Sequence, residues 1–480
     1  MIGHQDRLQE DLFVAAPLRD LIPDDHILKQ LNRILDLSWL RKEVRSLYDE
    51  AQGRPSIDPE AALRLMLAGF FQGIVHDRKL MREAQVNLAI RWFAGYRLHE
   101  ALPHHSSLTR IRQRWGADMF KRIFARTISS CAQAGLIDGT TVHVDATLIR
   151  ADVSWESLST AYAEDVITAN SNEDNDPDGG GSPKRGRPRT KPAKPKKRST
   201  TDPEATLTTS SKHERMEPCF KQHTAVDDKA GVIVDVAVTT GETSEGSQLS
   251  AQLDRIEANT QTKVETVTCD AGYAHGKNYA MLEERRIAAV IPPQAQPRRP
   301  KHIPLRLFKY DGRHQTVTCP AGRRLRRGSA TRFGRTYHAR SADCRNCVLR
   351  VRCFSPNATA RTVLIVHGYE ALLRARRWRQ CWDEAARRWY RRHRWRVEGV
   401  HGEAKTQHGL RRAVRRGMDN VAIQVYLTAA VMNLKRLAAF ACAALLPFAW
   451  PEQAHDVVTR FQLANVAPDA TTQKLNRRAA

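Results

Sequence analysis

Apolar residues in roughly the first 135 positions recur every three or four residues, the spacing of helices with one buried face. Residues 59–67 open one such helix. Asp58 is placed to cap it, and Pro59 stands at the first helical position, where a missing N–H costs nothing. A second helix begins near Ser106 and carries Leu108, Ile111, Trp115 and Phe120 as a stripe. Between them, Arg91-Trp92-Phe93-Ala94-Gly95-Tyr96 suits either a helical bundle that buries its aromatics or a module for dimerisation and DNA-end binding.

The period changes to two after Gly139. Residues 141–149 are short, alternating and β-branched, as a strand requires. A polar, low-complexity insert then runs over about 170–212. Two further strands, 220–226 and 232–239, flank a turn at Asp227-Asp228-Lys229-Ala230-Gly231 and predict a hairpin. Leu249, Leu253 and Ile256 mark a helix, and 264–269 a strand that stops at Asp270. Ala271-Gly272-Tyr273 turns the chain into a helix over about 277–286, and 288–291 is a fifth strand ended by Pro292-Pro293. Three consecutive strands followed by strand–helix alternation predict an α/β unit, a mixed sheet with helices packed on it. A β-leaning, Cys- and Arg-rich segment occupies about 294–370. A long helical stretch follows over 374–405, then an apolar helix over 421–444.

Charge narrows the partners. With 77 Lys and Arg against 52 Asp and Glu, the chain carries +25, which favours a polyanion and above all nucleic acid. The longest uninterrupted apolar run, 437–450, falls short of the ~20 residues needed to cross a bilayer and reads as a buried helix, so no membrane is expected. The charged N-terminus lacks an apolar signal core, and the expected compartment is the cytoplasm.

Three carboxylates stand apart. Asp145 interrupts an apolar strand, where a charge is costly unless it is paired or binds a metal. Asp270 ends a strand at a turn, the position where α/β sheets place their sites. Glu398 lies between Val397 and Val400 in an Arg-dense helix, on a stripe with Tyr390, Arg394, His401 and Lys405. Two divalent ions held by such carboxylates would clamp the attacking and leaving oxygens of a phosphodiester. Asp270 alone could be a turn-forming Asp, Glu398 a salt-bridge partner and the helix stripe a solvated face, whereas Asp145 in mid-strand is less easily dismissed. Asp152 is a reserve for Asp145, and Glu403 projects from another side of the helix.

Val144-Asp145-Ala146-Thr147, Asp270-Ala271-Gly272-Tyr273, the segment from Val397 to Lys405 and that from Leu102 to Arg112 together resemble the Asp-Asp-Glu transposases of bacterial insertion sequences. The branch they suggest carries a Tyr-Arg-Glu-Lys signature. Tyr390 stands four residues before Arg394 where that signature has three, and His401 stands where Phe is usual. The resemblance implies a ribonuclease H-like mixed sheet with flanking helices, an N-terminal all-helical domain and a small Cys-rich β insertion. It implies Asp145, Asp270 and Glu398 as catalytic ligands of two Mg²⁺ or Mn²⁺ ions, and Tyr390, Arg394 and Lys405 as DNA contacts. It implies homodimers on double-stranded DNA, bound to terminal inverted repeats and target, which join ends without a covalent protein intermediate. A zinc-containing regulator without catalysis and a ribonuclease H-like nuclease stay open as alternatives.

Cys319, Cys344, Cys347 and Cys353 gather in a segment poor in apolar residues, where a structural Zn²⁺ would replace a missing core; buried free thiols are the alternative. Residues 184–198 hold nine Lys or Arg and no acid, an extended disordered strap. Within it Arg185 and Arg187 resemble the minor-groove arginines of an AT-hook, or belong to a plain electrostatic arm. The stretch 374–417 adds fifteen cations against four acids with Trp378, Trp382, Trp389 and Trp395, suited to base stacking or to anchoring the helix. The expected domains are 1–135 helical, 136–293 catalytic with the 170–212 insert, 294–370 Cys-rich, 371–445 completing the catalytic part, and a tail over 446–480.

Overall fold

The computed structural model describes residues 17–49, 56–160, 197–209, 215–295 and 300–444. The chain forms two compact units: residues 1–134, 149–220 and 402–480 make one, and 135–148 with 221–401 make the other. They interleave along the chain instead of following one another.

The first unit begins with helices α1 (Ile27–Ile34), α2 (Leu40–Val44), α3 (Pro59–Phe71), α4 (Asp77–Val86), α5 (Leu88–Phe93) and α6 (His105–Gln133). The start of α3 is as the sequence predicts: the Asp58 carboxylate accepts the Glu60 and Ala61 amides at 2.7 and 3.2 Å, with Pro59 first in the helix. Helix α6 is two helical segments joined at Gly116, whose φ of 68° and ψ of 171° no ordinary L-residue adopts cheaply. Arg91 is buried and donates to the carbonyls of Arg97, Leu98 and Glu100, so that aromatic-rich stretch is a packed corner.

The last described helix, Met418–Ala444, belongs with these and packs on α6, α3 and α1. That packing is why residues from 402 onward group with the N-terminal helices and not with the 371–401 part, as was expected. The helix is also long and apolar enough to cross a membrane, which a search for uninterrupted apolar runs misses. Val421, Val425, Ala429, Ala430 and Met432 are buried against the unit's core, which accounts for their apolar character. The predicted run 437–450 is helical through Ala444, and the rest lies outside the described residues. Glu403 closes this region: it is paired with Lys435 at 2.5 Å and lies near Arg436 and His408. Burial opposes its charge, but these partners pull its pKa down to about 2, so it serves packing.

Residues 197–209 depart from the expectation of a disordered insert. With β1 (Thr141–Arg150) numbered first, β2 (Leu158–Thr160) pairs antiparallel with β3 (Lys197–Ser199), and β4 (Thr206–Thr208) pairs with the start of β5 (Glu217–Asp227). Such polar strands need backbone partners more than a hydrophobic face. Ser199, almost fully buried, has its hydroxyl 3.0 Å from that of Ser157 and takes the amide of Asp202. Arg185, Arg187 and most of the basic strap lie outside the described residues.

The second unit is built on a sheet of order β6-β5-β1-β7-β8, with β6 at Ile233–Thr240, β7 at Thr266–Cys269 and β8 at Ala288–Val290. The hairpin joins β5 to β6 as predicted, closed by Asp227, whose amide donates to Val232 at 2.8 Å. Strand β7 runs parallel to both β1 and β8. Helix α7 (Leu249–Thr260) follows β6, and α8 (Gly276–Glu284) links β7 to β8. A second, fully antiparallel sheet holds β9 (Lys309–Asp311), β10 (Thr316–Thr318), β11 (Arg324–Thr331), β12 (Gly334–His338) and β13 (Thr362–Val366) in sequential order. Short helices α9 (Ser341–Arg345) and α10 (Arg350–Cys353) sit between β12 and β13.

The stretch predicted as one helix over 374–405 is two, α11 (Tyr369–Gln380) and α12 (Glu384–Gln407). The break follows from Asp383, whose carboxylate accepts the Ala386 amide at 2.8 Å and restarts the helix. At the head of α11 the chain nearly touches α8. A Cβ on Gly368, at φ 68°, would stand 2.1 Å from the Gly276 carbonyl oxygen.

One buried charge cluster fixes the first unit. Asp77 receives both Nη atoms of Arg112 at 2.7 and 2.8 Å and one Nη of Arg415 at 2.6 Å. Burial works against its charge, yet the two guanidiniums hold its carboxyl below the usual range. Asp77→Ala leaves Arg112, 2% exposed, without its partner. The expected loss is about 3–5 kcal/mol, read as a lower urea midpoint.

Candidate active site

The parallel register of β1 and β7 builds the site. Val144 lies opposite Cys269, so Asp145, in the middle of β1, and Asp270, just past the end of β7, follow as the next pair of positions. Beyond Cys269 the chain turns tightly, and the Asp270 carboxylate accepts the Gly272 amide at 2.8 Å. Asp145 is held differently. Burial pushes its pKa up, and the negative charges of Asp270, Glu245 and Glu398 add to that. The Ala146 amide opposes them, and the result is about 7.

The third carboxylate is brought into this neighbourhood but not turned fully into it. Glu398 is 61% exposed, with Oε2 3.1 Å from Arg394 Nε, an i,i+4 pair along α12. The stripe read from the sequence therefore splits. Arg394 and Glu398 face solvent, whereas His401 is buried, with Nε2 3.0 Å from the Thr224 hydroxyl and Nδ1 3.8 Å from Asp145 Oδ2. Lys405 lies on the part of α12 that belongs to the first unit, where it is half-buried near Cys219.

Tyr390 is half-buried. Its ring stacks on His393 at 6.2 Å and meets Trp382 at 5.4 Å. Burial, and then the charge of Asp270, raises its pKa. Trp382 packs with Val290 and Ala386, and Trp378, Trp389 and Tyr390 close over them, so these tryptophans anchor the helix. Trp395 stays exposed. Beside them an open cavity of about 470 Å³ is lined by Arg379, Trp382, Glu384, Arg387, Tyr390 and Arg391.

Beneath the carboxylates lies a polar tier that the sequence reading passed over. His143 is two residues before Asp145 and Thr268 two before Asp270, so each shares its aspartate's face of the sheet. His143 Nε2 is 2.9 Å from Asp228, and its Nδ1 is 2.6 Å from the Thr268 hydroxyl, which is 2.9 Å from His393 Nδ1. The proton order follows from donor chemistry. Asp228 is a carboxylate and accepts only, so His143 donates from Nε2 and accepts from Thr268 at Nδ1; Thr268 in turn accepts from His393. Burial drives both imidazoles toward the neutral form, His393 to about 3. Arg392 pairs with Asp228 at 2.9 Å, and Arg396 donates to the Asp228 and Lys229 carbonyls at 2.6 and 2.9 Å. One network thus joins β1, β7 and α12, the three elements that carry the three carboxylates.

Glu245 is the other residue missed. It sits in the turn after β6, where a Gly-, Thr- and Ser-rich sequence reads as plain loop, and its Oε1 is 3.3 Å from Lys221 Nζ. The donor chemistry around Asp145 and Asp270 fits a hard divalent cation, since hard oxygens of like charge share one spot. Among the described residues, however, no three His, Cys, Asp or Glu stand close enough to hold an ion as placed. The same applies to the cysteines. Burial raises the Cys353 thiol, Cys344, Cys319 and Cys347 add to the shift, and the Arg323 amide donates to Cys319 Sγ at 3.4 Å. The four sulfurs share a neighbourhood without forming a closed ligand set.

Asp145 has a pH consequence with a definite sign. Its folded pKa of about 7 lies above that of an ordinary aspartate, so the folded state binds more protons between about pH 4 and 7. Stability of the metal-free protein should fall across that window and level off above it. Asp145→Asn removes the cost: its urea midpoint should exceed that of the parent at pH 8 and converge with it below pH 4.

A model described as Transposase domain (DUF772) matches residues 16–114, and one described as Transposase DDE domain matches residues 318–438, which include Glu398 and the four cysteines. No curated protein matches the chain. Among solved structures, a piggyBac transposase synaptic complex with hairpin DNA is 10% identical. The match covers 90% of this chain and 84% of that one, at a TM-score of 0.31. A Mos1 transposase paired-end complex with the left transposon end is 12% identical over 52% of this chain and 65% of that one, at 0.16. A pre-cleavage Mos1 transpososome is 11% identical over 54% and 66%, also at 0.16. Two transposase models thus match this chain, one on its N-terminal helices and one, a DDE domain, from the end of β10 through the Glu398 helix into the last described helix.

Proposed function

We propose that this transposase cleaves and rejoins DNA at the ends of an insertion sequence, with Asp145, Asp270 and Glu398 as its catalytic carboxylates. The observation that carries the reading is the β1–β7 register, which sets Asp145 beside Asp270 with Glu398 close enough to raise the proton affinity of Asp145. The sheet order β6-β5-β1-β7-β8, with a hairpin on one side and parallel strands on the other, supports a ribonuclease H-like catalytic unit.

Mg²⁺ or Mn²⁺, when bound, would supply the charge that activates the attacking oxygen and stabilises the leaving one. The chain's own part is positional. Asp145 is fixed within β1, and Asp270 just past the end of its partner strand β7. Glu398 joins them by releasing Arg394, whose guanidinium is then free for a phosphate. Attack by water breaks the P–O3′ bond and leaves a 3′-hydroxyl; attack by that hydroxyl on the target repeats the exchange without a protein-linked intermediate.

The +25 charge supports double-stranded DNA, both inverted repeats and target, as the partner, with the chain acting as a homodimer on it in the cytoplasm. Tyr390 lines a cavity that also holds Arg379, Arg387 and Arg391, which suits backbone contact near the cut. Lys405, Arg185 and Arg187 are further phosphate or groove contacts. The neighbouring thiols of Cys319, Cys344, Cys347 and Cys353 support a structural Zn²⁺ that draws their loops together.

Changing Asp145, Asp270 or Glu398 to Ala should abolish Mg²⁺-dependent nicking of labelled linear DNA bearing the element's ends, while DNA retention in a mobility-shift assay stays unchanged. Full nicking by Asp270→Ala would refute the assignment. For the cysteines, elemental analysis of the purified protein should find one zinc per chain, and Cys344→Ser should lose it; a zinc-free parent protein with the same melting midpoint would end that part of the reading.

A further inference from the structure

Gly272 separates two acidic side chains. A Cβ built on it would stand 2.8 Å from Glu245 Oε2 and 2.9 Å from Asp270 Oδ1, so both oxygens crowd one point. Their strands come from different parts of the chain: Asp270 ends β7, and Glu245 lies in the turn beyond β6. Two carboxylates turned toward one point favour a cation between them. Lys221 offsets part of this, at 3.3 Å from Glu245 Oε1, but its ammonium also donates to the Thr243 carbonyl at 2.9 Å.

A second, independent feature points into the same spot. Tyr273 is fully buried, and its hydroxyl has no hydrogen-bond partner. Burial above all raises its pKa, and the neighbouring Cys269, Asp145, Glu245 and Asp270 add to the shift. A buried hydroxyl left unpaired is costly, and a hydrated ion would relieve that by bringing an oxygen within reach.

We propose that Glu245 is a fourth carboxylate of the catalytic centre, taking a divalent cation jointly with Asp270 across Gly272. This rests on the reading of Asp145 and Asp270 as the metal-holding pair. Glu245 then supplies at the sheet what Glu398 cannot while it is paired with Arg394: an acid already facing the aspartates. Gly272 is required because any side chain there would push the two carboxylates apart. Lys221 holds Glu245 in place until the ion arrives.

The test is Mn²⁺ binding to the full chain without DNA, followed by the loss of the free-ion electron paramagnetic resonance signal. Glu245→Gln should weaken binding on the order of ten- to hundredfold. Gly272→Ala, which adds one methyl and leaves both acids intact, should weaken it in the same direction and serves if Glu245→Gln does not fold. Lys221→Met, which removes the competing ammonium, separates a ligand from a mere salt-bridge partner: if Glu245 binds the ion, Lys221→Met gains affinity where Glu245→Gln loses it; if Glu245 only balances Lys221, both variants bind as the parent does. Parental affinity in Glu245→Gln alongside weakened binding in Asp270→Asn would overturn the role of Glu245 and leave the aspartate pair standing. Equal binding, or none, in the parent and Asp270→Asn would overturn both.

Discussion

The parallel pairing of β1 with β7 is the constraint on which the second unit depends. Its register fixes two layers at once: Asp145 beside Asp270, and one step earlier on the same face His143 beside Thr268. A slip of one residue would turn one strand's pair of polar side chains to the other face of the sheet. The hydroxyl of Thr268 then reaches His393 and so ties the helix that carries Glu398 to the strands that carry the aspartates. Geometry at the carboxylates is thus set from underneath, by neutral groups with one consistent proton order.

Much of this was legible in the sequence because it rests on local pattern. The alternation over 141–149, the hairpin around Asp227 and the strand that stops at Asp270 gave the sheet and two acids, and Asp58-Pro59 gave a helix start. What resisted reading depends on contacts remote in sequence. Periodicity placed Arg394, Glu398 and His401 on one stripe, but only the sheet beneath α12 decides that His401 turns in to Thr224 and Asp145 while Glu398 turns out to Arg394. Glu245 sits in a loop with no period at all. The interruption at residues 381–383 escaped because the flanking Arg and Trp residues favour helix on both sides, and Asp383 alone announces the restart.

The two sheets of the second unit solve different problems. The mixed sheet buries Val142, Val144, Val234, Val236 and Val267 and is held by its own core. The antiparallel sheet over 309–366 buries little beyond Val317, Leu325, Tyr337, Val363 and Ile365 and leaves most of β11 exposed. A sheet with so thin a core gains from any cross-link between its loops, which gives the nearby thiols a physical reason to be there apart from catalysis.

The neutrality of the tier under the aspartates has a further consequence. With His143 and His393 uncharged, the two imidazoles offer the acids no counter-charge, Arg392 and Arg396 are engaged by Asp228 and Lys229, and Arg394 is paired with Glu398 at the surface. Lys221 apart, the acids are left with attraction to spare for a cation, and for the nucleic acid that a cation would help to hold. Ion and nucleic acid would then reinforce each other's residence.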